Sequence, residues 1–589
     1  MTPPTRTRIV TVFAALGFAA LLVVGPFAAR EREECLFALS LIVSCTLLIA
    51  FATRRAAFAL ATPAIVFGAV LIAGAIKFKY LTTPLLAPDL YYFLNRDLLD
   101  VARHYPVVMI ALVAGAILVP GLLALVWWLD RPYLFARLHP ASRHLVRIIG
   151  TIATACTLIA VDSPSGPFSG VFDKGMWAMM NDRNYIVDFF ASFRQTRIVV
   201  PAIATDADAR LGWSQPPTDN PPTCARGRCV AGARFVKPQE HPDIVSILEE
   251  STFDPAMLAD CDLPRFCKLR MFAADGRTRA HGPATMHVWG GGTWTSEFAL
   301  LTGLNHSSFG EAGLYAPYNL APRVVFTLPR VLHAAGYRAV AVYPMTGDFI
   351  NARNAYKDYG FDKFYDGADY GLSWHSPDSD LMQVFDRIYA QEKKDHGKQP
   401  LFVMMLTLRQ HGPHMDPYAT MPPPFDKPLF PGHWTPTDLD EWLNLNLTNY
   451  LYRLAGSDAA IAHIEKTLLD GGRPALLFHF GDHQPSFDGA IRVLKKSVPA
   501  SVPDANFVTY FMLKSNFKPA RGNYHFPALD ISFAGSLILD IAGIHKGAFF
   551  QANALMRDRC QGRYLDCPNK PLLHAYDNFI FHTLQAVHE

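Results

Sequence analysis

Long apolar runs before residue 162 constrain the fold of this chain more than any other feature of its sequence. Each is about 20 residues long, the length that an α-helix needs to cross the hydrocarbon core of a bilayer. There are five such runs, at residues 9–28, 35–53, 57–76, 106–128 and 145–161. They account for the 50% hydrophobic and 18% charged composition, because the later sequence is typical of a globular protein. We therefore predict an α-helical membrane domain of five transmembrane helices over residues 1–161.

Loop charges predict how this membrane domain is oriented. With the N-terminus inside, the cytoplasmic loops contain five arginines, namely Arg54, Arg55, Arg131, Arg137 and Arg143. The outer loop at residues 30–34 mixes both signs of charge. Because positive residues favour the cytoplasmic side, five spans place everything after residue 162 outside the cytoplasm. A cleaved signal peptide is the alternative for the first run, but further spans follow it and no small-residue cleavage site is evident.

Cysteine spacing supports an oxidising compartment for the polar part of the chain. Six of the nine cysteines form three near pairs: Cys224 with Cys229, Cys261 with Cys267, and Cys560 with Cys567. None of these pairs has the C-x2-C spacing of a structural zinc site. Closely spaced pairs in such a compartment are typical of disulfides that close short loops, with unrelated free thiols as the alternative. We predict three disulfides in a domain outside the cytoplasm.

The sequence after the membrane domain falls into two further parts. Residues 162–237 are interpreted as juxtamembrane helices and a linker, because residues 185–193 have helical apolar spacing and residues 214–235 are rich in Pro and turn formers. In residues 238–589, helical stretches alternate with short apolar runs, at 243–248, 337–343, 401–408, 475–480 and 507–513. Continuous apolar strands alternating with helices predict an α/β domain with a mainly parallel sheet covered on both faces.

Residue types that bind metals stand where two predicted strands end. Residues 249–251 (Glu-Glu-Ser) follow the first strand, and residues 481–483 (Gly-Asp-His) follow the strand "ALLFHF". A Gly-rich turn places Thr293 at a predicted helix start. Glu, Asp and His together suit zinc or manganese, and metal coordination can activate a threonine hydroxyl, which is otherwise a poor nucleophile. Taken alone, Glu250 could be a surface carboxylate at a strand end, and Thr293 could be an ordinary N-cap residue. Together with Asp482 and His483, they indicate a metal site with Thr293 as nucleophile.

The motifs "VSILEES", "GGGTWTSEFALLTGL", "LRQHGPH" and "HFGDHQP" resemble those of the lipoteichoic acid synthase and phosphoethanolamine transferase group. This group belongs to the sulfatase-like branch of the alkaline phosphatase superfamily. The resemblance covers roughly residues 238–545. It implies a sulfatase-like α/β fold, one principal Mn²⁺ or Zn²⁺ ion, and a multi-pass location in a bacterial inner membrane with a periplasmic or extracellular catalytic domain. By position, it assigns the metal to Glu250, Asp482, His483 and Thr293.

The spacing of the related sulfatase signature decides between two threonines. Ser296 and the pair Thr302-Gly303 stand at the signature positions only when the count begins at Thr293 rather than Thr295. A true sulfatase needs Cys or Ser at the nucleophile for conversion to formylglycine. Sulfate ester hydrolysis is therefore not expected of Thr293.

The resemblance also implies residues that contact the substrate. His411 matches a histidine that contacts the phosphate or assists the leaving group, and we expect further substrate contacts from His414, Arg353 and Trp294. Two positions depart from the synthase branch, since Tyr343 stands at a histidine position and an ungapped register puts Ala352 at the substrate-binding arginine. The segment after His483 also lacks the second histidine of a fuller metal site.

These features predict a transferase that acts on a lipid headgroup. We expect phosphoglycerol to move from phosphatidylglycerol, through a phospho-threonine, to an envelope glycan or glycolipid. The alternatives are phosphoethanolamine transfer to lipid A or another envelope acceptor, headgroup hydrolysis by water, and an inactive membrane scaffold or receptor that keeps the fold. The net charge of +3, with no basic run, gives no indication of a nucleic-acid partner.

Overall fold

A computed structural model describes residues 5–588 except 28–30, 82–84, 88–89, 91–105, 164, 173–183, 194–197, 208–211, 214–239, 260, 262 and 520–523. Contacts between residues divide the chain into two compact units, Met1–Arg197 and Ile198–Glu589. This boundary falls inside the region 162–237 that the sequence separates from both flanking domains. The linker at 214–235 and the predicted pair of Cys224 and Cys229 lie outside the described residues.

The first unit contains the five predicted membrane helices. They are α1 (Thr5–Phe27), α2 (Arg32–Thr53), α3 (Ala56–Leu81), α4 (Pro106–Leu129) and α5 (Pro140–Val161). In the described part of the chain, α1, α2, α3 and α5 are long and apolar enough to cross a membrane, and Val113–Leu129 within α4 is a shorter apolar stretch. Large apolar side chains such as Phe13 and Ile149 are 70% and 57% exposed, as lipid-facing side chains would be. The predicted α-helical membrane domain is confirmed.

The membrane helices pack against neighbours in sequence and also against helices further along the chain. Helix α1 lies against α3, α2 against both α3 and α5, and α3 against α4. Ala14, Ala57 and Ala61 form a small apolar cluster between α1 and α3. Small residues at such contacts let the backbones of membrane helices approach closely. Two short helices follow, α6 (Ser169–Phe172) and α7 (Tyr185–Ser192), and the second is the helix expected at residues 185–193.

An eight-stranded sheet forms the centre of the second unit. Its strands are β1 (Asp243–Glu249), β2 (Thr278–Thr285), β3 (Arg338–Tyr343), β4 (Lys363–Asp366), β5 (Leu401–Leu406), β6 (Ala475–Gly481), β7 (Val508–Ser515) and β8 (Leu529–Asp530). The spatial order is β4-β3-β5-β1-β6-β7-β2-β8, and β7 alone among these strands runs against the others. The mainly parallel sheet and all five predicted strands are confirmed.

Helices cover both faces of this sheet, which explains the continuous apolar strands. The helices of this unit are α8 (Pro264–Cys267), α9 (Thr293–Thr302), α10 (Ala316–Asn319), α11 (Leu328–Ala334), α12 (Ala352–Tyr359), α13 (Asp378–His396), α14 (Thr437–Leu469), α15 (Ala534–Ala542), α16 (Gly547–Arg559) and α17 (Lys570–Asp577). Helices α13 and α14 pack on one face of the sheet in a single apolar core that includes Val245, Val403 and Leu477. All seven residues of β1 and of β6 are buried.

The pairing of β1 with β6 positions the carboxyl end of both strands. Their parallel register sets Glu249 opposite Gly481, so Glu250 and Asp482 follow at the same edge of the sheet. The turn that follows β1 packs directly on the end of β6 because residue 481 is a glycine, since a Cβ there would lie 1.6 Å from the carbonyl oxygen of Thr252. Disulfides Cys261–Cys267 and Cys560–Cys567 are present in the same unit.

Replacing Gly481 should therefore damage this edge of the sheet. We expect Gly481→Ala to lower the thermal unfolding midpoint of the detergent-purified protein by about 5 °C or more, because a backbone clash of this kind typically costs about 3 kcal/mol. Gly456→Ala is the matched control, since a Cβ at that position in α14 meets no atom within 4 Å. It should leave the midpoint unchanged or raise it slightly. Equal midpoints for the two variants would contradict this packing.

Candidate metal centre and nucleophile

A turn of three glycines brings the chain from β2 to the start of α9. Gly290, Gly291 and Gly292 have φ values of 67°, 155° and 89°, which side chains rarely adopt. The amide of Gly290 donates a hydrogen bond of 3.1 Å to the carbonyl of Gln484, which ties the turn to the segment after β6. The helix then begins at Thr293, as the Gly-rich turn predicts.

The two candidate threonines differ in their surroundings. The side chain of Thr295 is fully buried and donates a hydrogen bond of 2.8 Å to the carbonyl of Gly292. That of Thr293 is half-buried, and its Oγ1 donates a hydrogen bond of 2.8 Å to Glu250 Oε2. The geometry therefore favours Thr293, the residue that the sequence spacing selects.

Three metal-ligand side chains meet beside this hydroxyl. One ligand atom from each of Glu250, Asp482 and His483 lies within 4.8 Å of the others, and all three residues are buried. Within the described residues, no other group of three such side chains comes this close together. The sequence assigns these residues to the metal, and the structure brings all of them, with Thr293, to one point at the carboxyl edge of β1 and β6.

The imidazole of His483 is held so that one nitrogen faces the cluster. Its Nδ1 lies 2.9 Å from the carbonyl oxygen of Gln484, and because a carbonyl only accepts hydrogen bonds, Nδ1 carries the proton. The unprotonated Nε2 then faces Asp482 Oδ2 at 3.2 Å and Glu250 Oε1 at 3.6 Å. A backbone carbonyl that orients a histidine in this way is common behind metal ligands.

The electrostatics of the cluster call for a cation. Burial, together with the charge of Glu250, raises the pKa of Asp482 well above its usual range, while burial lowers the pKa of His483. Asp482 Oδ2 is buried and accepts no hydrogen bond from the described part of the chain. In a buried site of this kind a second carboxylate charge is unfavourable without a positive partner, and a divalent cation bound by the three side chains would stabilise both charges. The residues present fit a metal ion.

Sequence reasoning missed the residues that hold these ligands in place. The amide of Ser251 donates 2.7 Å to Asp482 Oδ1, and its hydroxyl donates 2.9 Å to Glu250 Oε1. Ser251 has a φ of 49°, an unfavourable backbone conformation of the kind that clusters at functional sites. Ser296, one turn into α9, donates 2.8 Å to the carbonyl of Asp482. Both serines lie within the quoted motifs, but only the fold reveals their partners.

Two further buried carboxyl groups lie close to the triad. Glu249 accepts a hydrogen bond of 3.3 Å from Thr407, and burial and the charge of Asp378 raise its pKa well above the usual range. It is therefore Glu250, and not its neighbour, that joins the cluster. Glu297 stands one turn after Thr293, and burial, followed by the charges of the metal-ligand carboxylates, raises its pKa to about 8. Its spacing of four residues from Thr293 is the signal that could have identified it.

The two predicted histidines after β5 occupy different environments. His411 is half-buried, with its ring 4.9 Å from that of Trp374 and its Nδ1 2.7 Å from the carbonyl oxygen of Gly412. His414 is buried between the rings of Tyr450 and Phe487, and burial lowers its pKa to about 3. The structure does not bring either histidine into the triad. A substrate contact by His411 stays a prediction, and the burial of His414 speaks against one from that residue.

The other predicted substrate-binding residues already have partners within the protein. Arg353 Nη2 donates to Asp366 Oδ2 at 2.5 Å, at the end of β4. The indole of Trp294 is buried and donates 2.6 Å to the carbonyl of Leu314. Tyr343, at the histidine position of the synthase branch, is within electrostatic reach of the triad, because Glu297, Glu250 and Asp482 add to the effect of burial in raising its pKa.

The fold and this cluster define an α/β domain in which a threonine hydroxyl at a helix start adjoins two buried carboxyl groups and an imidazole. Residues 242–535 match the sequence model of the Sulfatase family. The α/β domain over these residues is therefore a Sulfatase-family domain. Thr293, however, cannot supply the formylglycine of a true sulfatase.

Three similar proteins extend this comparison. An uncharacterised protein of Haemophilus influenzae is 31% identical over 359 residues, 58% of this chain and 61% of its own length. A protein of Rhizobium meliloti, proposed to modify cyclic β-1,2-glucan, is 24% identical over 256 residues, 41% of this chain and 36% of its own. The chain thus spans less than two thirds of both curated relatives. A Streptococcus pyogenes phosphoglycerol transferase solved with sn-glycerol-1-phosphate is 17% identical, with a TM-score of 0.45, over 58% of this chain and 85% of that one.

Removing one ligand charge should release the metal. We expect Asp482→Asn, which keeps the side-chain shape, to weaken binding of Mn²⁺ or Zn²⁺ by about a hundredfold or more, measured as metal content after dialysis. Asp386→Asn is the control, because Asp386 on α13 pairs with His463 on α14 and is not part of the cluster. Equal metal content in wild type and Asp482→Asn would remove Asp482 from the site.

The raised pKa of Glu297 should appear in the pH dependence of stability. Its folded pKa of about 8 exceeds the unfolded value, so its contribution is complete below about pH 4.5 and is lost as the pH rises through 8. Glu297→Gln cannot ionise and should lose less stability between pH 5 and 8.5 than wild type, by on the order of 3 kcal/mol. Thermal unfolding with a chelator present measures this, since a bound cation would offset the carboxylate charges. Parallel pH curves for the two proteins would contradict a protonated Glu297.

Proposed function

We propose that this protein is a membrane-anchored transferase that moves phosphoglycerol from phosphatidylglycerol to an envelope glycan or glycolipid through a phospho-Thr293 intermediate. The observation that carries the proposal is the hydroxyl of Thr293, hydrogen-bonded at 2.8 Å to Glu250 within the buried triad. An inactive scaffold has no need for a nucleophile beside a cation site. The membrane helices of the first unit suit a donor that resides in a bilayer.

Four side chains would hold the metal in this proposal. Glu250, Asp482 and His483 supply two carboxylates and an imidazole, and Thr293 supplies its oxygen. This mixture of oxygen and nitrogen ligands suits Mn²⁺ or Zn²⁺. The ion, when bound, favours the deprotonated hydroxyl and polarises the phosphoryl oxygens.

The chain itself orients the nucleophile and receives the phosphoryl group. Thr293 is the first residue of α9, where backbone N–H groups of the first turn have no partner inside the helix and can bind anionic oxygens. Glu250 accepts the hydrogen bond of the Thr293 hydroxyl and so orients it. The hydroxyl of Ser251 donates to Glu250 and fixes that carboxylate in turn. Ser296 fixes the backbone of Asp482 from the same helix. Thr293 is thereby kept in place while the two carboxylates stay oriented.

The reaction would proceed in two transfers. In the first, a bond forms between Thr293 Oγ1 and the headgroup phosphorus, the bond from phosphorus to the diacylglycerol oxygen breaks, and diacylglycerol leaves with the proton. In the second, an acceptor hydroxyl attacks the same phosphorus, the bond to Thr293 breaks, and the threonine recovers a proton. His411, half-buried on the loop after the neighbouring β5, is our candidate for assisting the leaving group.

Location and acceptor follow from independent features. The arginines of the predicted cytoplasmic loops and the disulfides of the second unit support a catalytic domain in the periplasm, anchored in a bacterial inner membrane. The Rhizobium meliloti relative is proposed to act on a glucan, which supports a glycan acceptor. The missing second histidine after His483 favours phosphoglycerol over phosphoethanolamine.

Diacylglycerol release tests this proposal directly. Full-length protein in mixed micelles with Mn²⁺ or Zn²⁺ should release diacylglycerol from labelled phosphatidylglycerol, and Thr293→Ala should reduce the rate by about a thousandfold or more. Thr293→Ser retains a hydroxyl and should retain measurable activity. Release from phosphatidylethanolamine alone would replace the donor, and release from neither lipid would refute the transferase assignment.

A further inference from the structure

Three arginines lie together where α2 ends and α5 begins in the membrane unit. Arg54 terminates α2 in a left-handed conformation, with a φ of 63°. Arg143 and Arg147 are on the first turns of α5, near enough that their positive charges act on Arg54. We refer to Arg54, Arg143 and Arg147 as the arginine cluster. Loop charges predict that this end of the unit faces the cytoplasm.

Backbone carbonyls hold each guanidinium group of the cluster in place. Arg147 Nη2 donates to the carbonyl of Ala52 at 3.0 Å, and Arg54 Nε donates to that of Leu134 at 3.2 Å. Arg143 Nη2 donates to the carbonyls of Ala136 and Leu138, at 3.2 and 3.1 Å. Carbonyl groups orient a guanidinium group, but they are neutral and do not cancel its charge.

A neighbouring arginine shows what charge compensation looks like here. Arg55 is near enough to Asp130 for the two charges to attract each other, while its own hydrogen bonds go to the backbone carbonyls of Trp127 and Asp130. The Asp130 carboxylate accepts a hydrogen bond of 3.0 Å from the amide of Phe58. No member of the arginine cluster forms an ion pair with a carboxylate in the described ranges. The Nε atoms of Arg143 and Arg147 are buried and have no hydrogen-bond acceptor there. The cluster therefore carries uncompensated charge and unused donors.

An open cleft of about 500 Å³ adjoins the cluster along α5. Its lining is polar at one end and mainly apolar at the other. The lining residues are Ala52, His144, Arg147, Ile148, Thr151 and Ile152. His144 and Arg147 provide the polar end, near the last turn of α2. The side chains of Ile148 and Ile152 are each 58% exposed and continue one turn apart into the apolar part of α5. A ligand that fills this cleft must have an anionic head and an apolar tail.

We propose that this cleft binds an acidic phospholipid of the cytoplasmic leaflet, with its phosphate on the arginine cluster and an acyl chain along Ile148 and Ile152. Arginine binds phosphate oxygens with several donors at once, and basic pockets between membrane helices on the cytoplasmic side are suited to acidic headgroups. This lipid is a bound component of the membrane unit. It is separate from the donor at Thr293, so the inference goes beyond the proposed function and does not depend on it.

Retention of lipid by the full-length protein tests the proposal. Protein exchanged into mixed micelles with a chelator, which prevents turnover, is compared by native mass spectrometry after incubation with phosphatidylglycerol or phosphatidylcholine. Wild type should retain phosphatidylglycerol in preference, and Arg147→Gln should weaken its binding by about fivefold, the effect expected of one arginine near a charged headgroup. Arg147→Lys, which keeps the charge, should retain most of the binding.

Arg137, in the loop before α5, provides the control variant. Arg137→Gln removes an exposed arginine outside the cleft and should bind phosphatidylglycerol as wild type does. Equal retention of both lipids by wild type would overturn the proposal without requiring any variant to fold. Competition by soluble sn-glycerol 3-phosphate would likewise overturn it, because the site would then accept a free phosphate. If Arg137→Gln and Arg147→Gln weakened phosphatidylglycerol binding equally, the effect would come from the net charge of the protein and not from this cleft, and the proposal would be wrong.

Discussion

The parallel register of β1 against β6 is the constraint on which the catalytic unit depends. Because Glu249 pairs with Gly481, the next residue of each strand, Glu250 and Asp482, emerges at the same edge of the sheet. The glycine lets the turn after β1 pack against the end of β6, since a Cβ at residue 481 would collide with the backbone at Thr252. The glycine turn before α9 is then tied to Gln484 by one hydrogen bond, which brings Thr293 to the pair. Strand pairing thus assembles a nucleophile and its ligands from three distant parts of the sequence.

The sequence predicts these ligands because each belongs to a local signal. Glu250 and Asp482 each follow an uninterrupted apolar strand, and Thr293 follows three glycines. Strand β2 was missed because its sequence, "TRAHGPAT", contains Gly, Pro and several polar residues, and β8 was missed because it has two residues. The contacts of Ser251 and Ser296 cross between elements and have no local signature. The burial of His414 and the ion pair of Arg353 depend on tertiary packing in the same way.

Uncompensated charge has the same physical consequence in each of the two units. Folding removes the carboxylates of Glu250 and Asp482 from water and places them against each other, an arrangement that a cation would stabilise. In the membrane unit, backbone carbonyls orient three arginines but leave their charge without a counterion among the described residues. Buried or clustered charge is costly unless it is paired, so each cluster implies a ligand of opposite sign. The first implies a divalent metal, and the second implies an acidic headgroup.

Peptide mass spectrometry of the trapped intermediate can determine whether Thr293 carries the transferred group. Full-length protein would be incubated briefly with phosphatidylglycerol and Mn²⁺ or Zn²⁺, without an acceptor glycan, then quenched in acid and digested. The peptide containing Thr293 should gain the mass of one glycerophosphoryl group, and no such adduct should form in Thr293→Ala. Release of diacylglycerol with the adduct on another residue, or with no adduct under conditions where a synthetic phosphothreonine peptide survives, would contradict it.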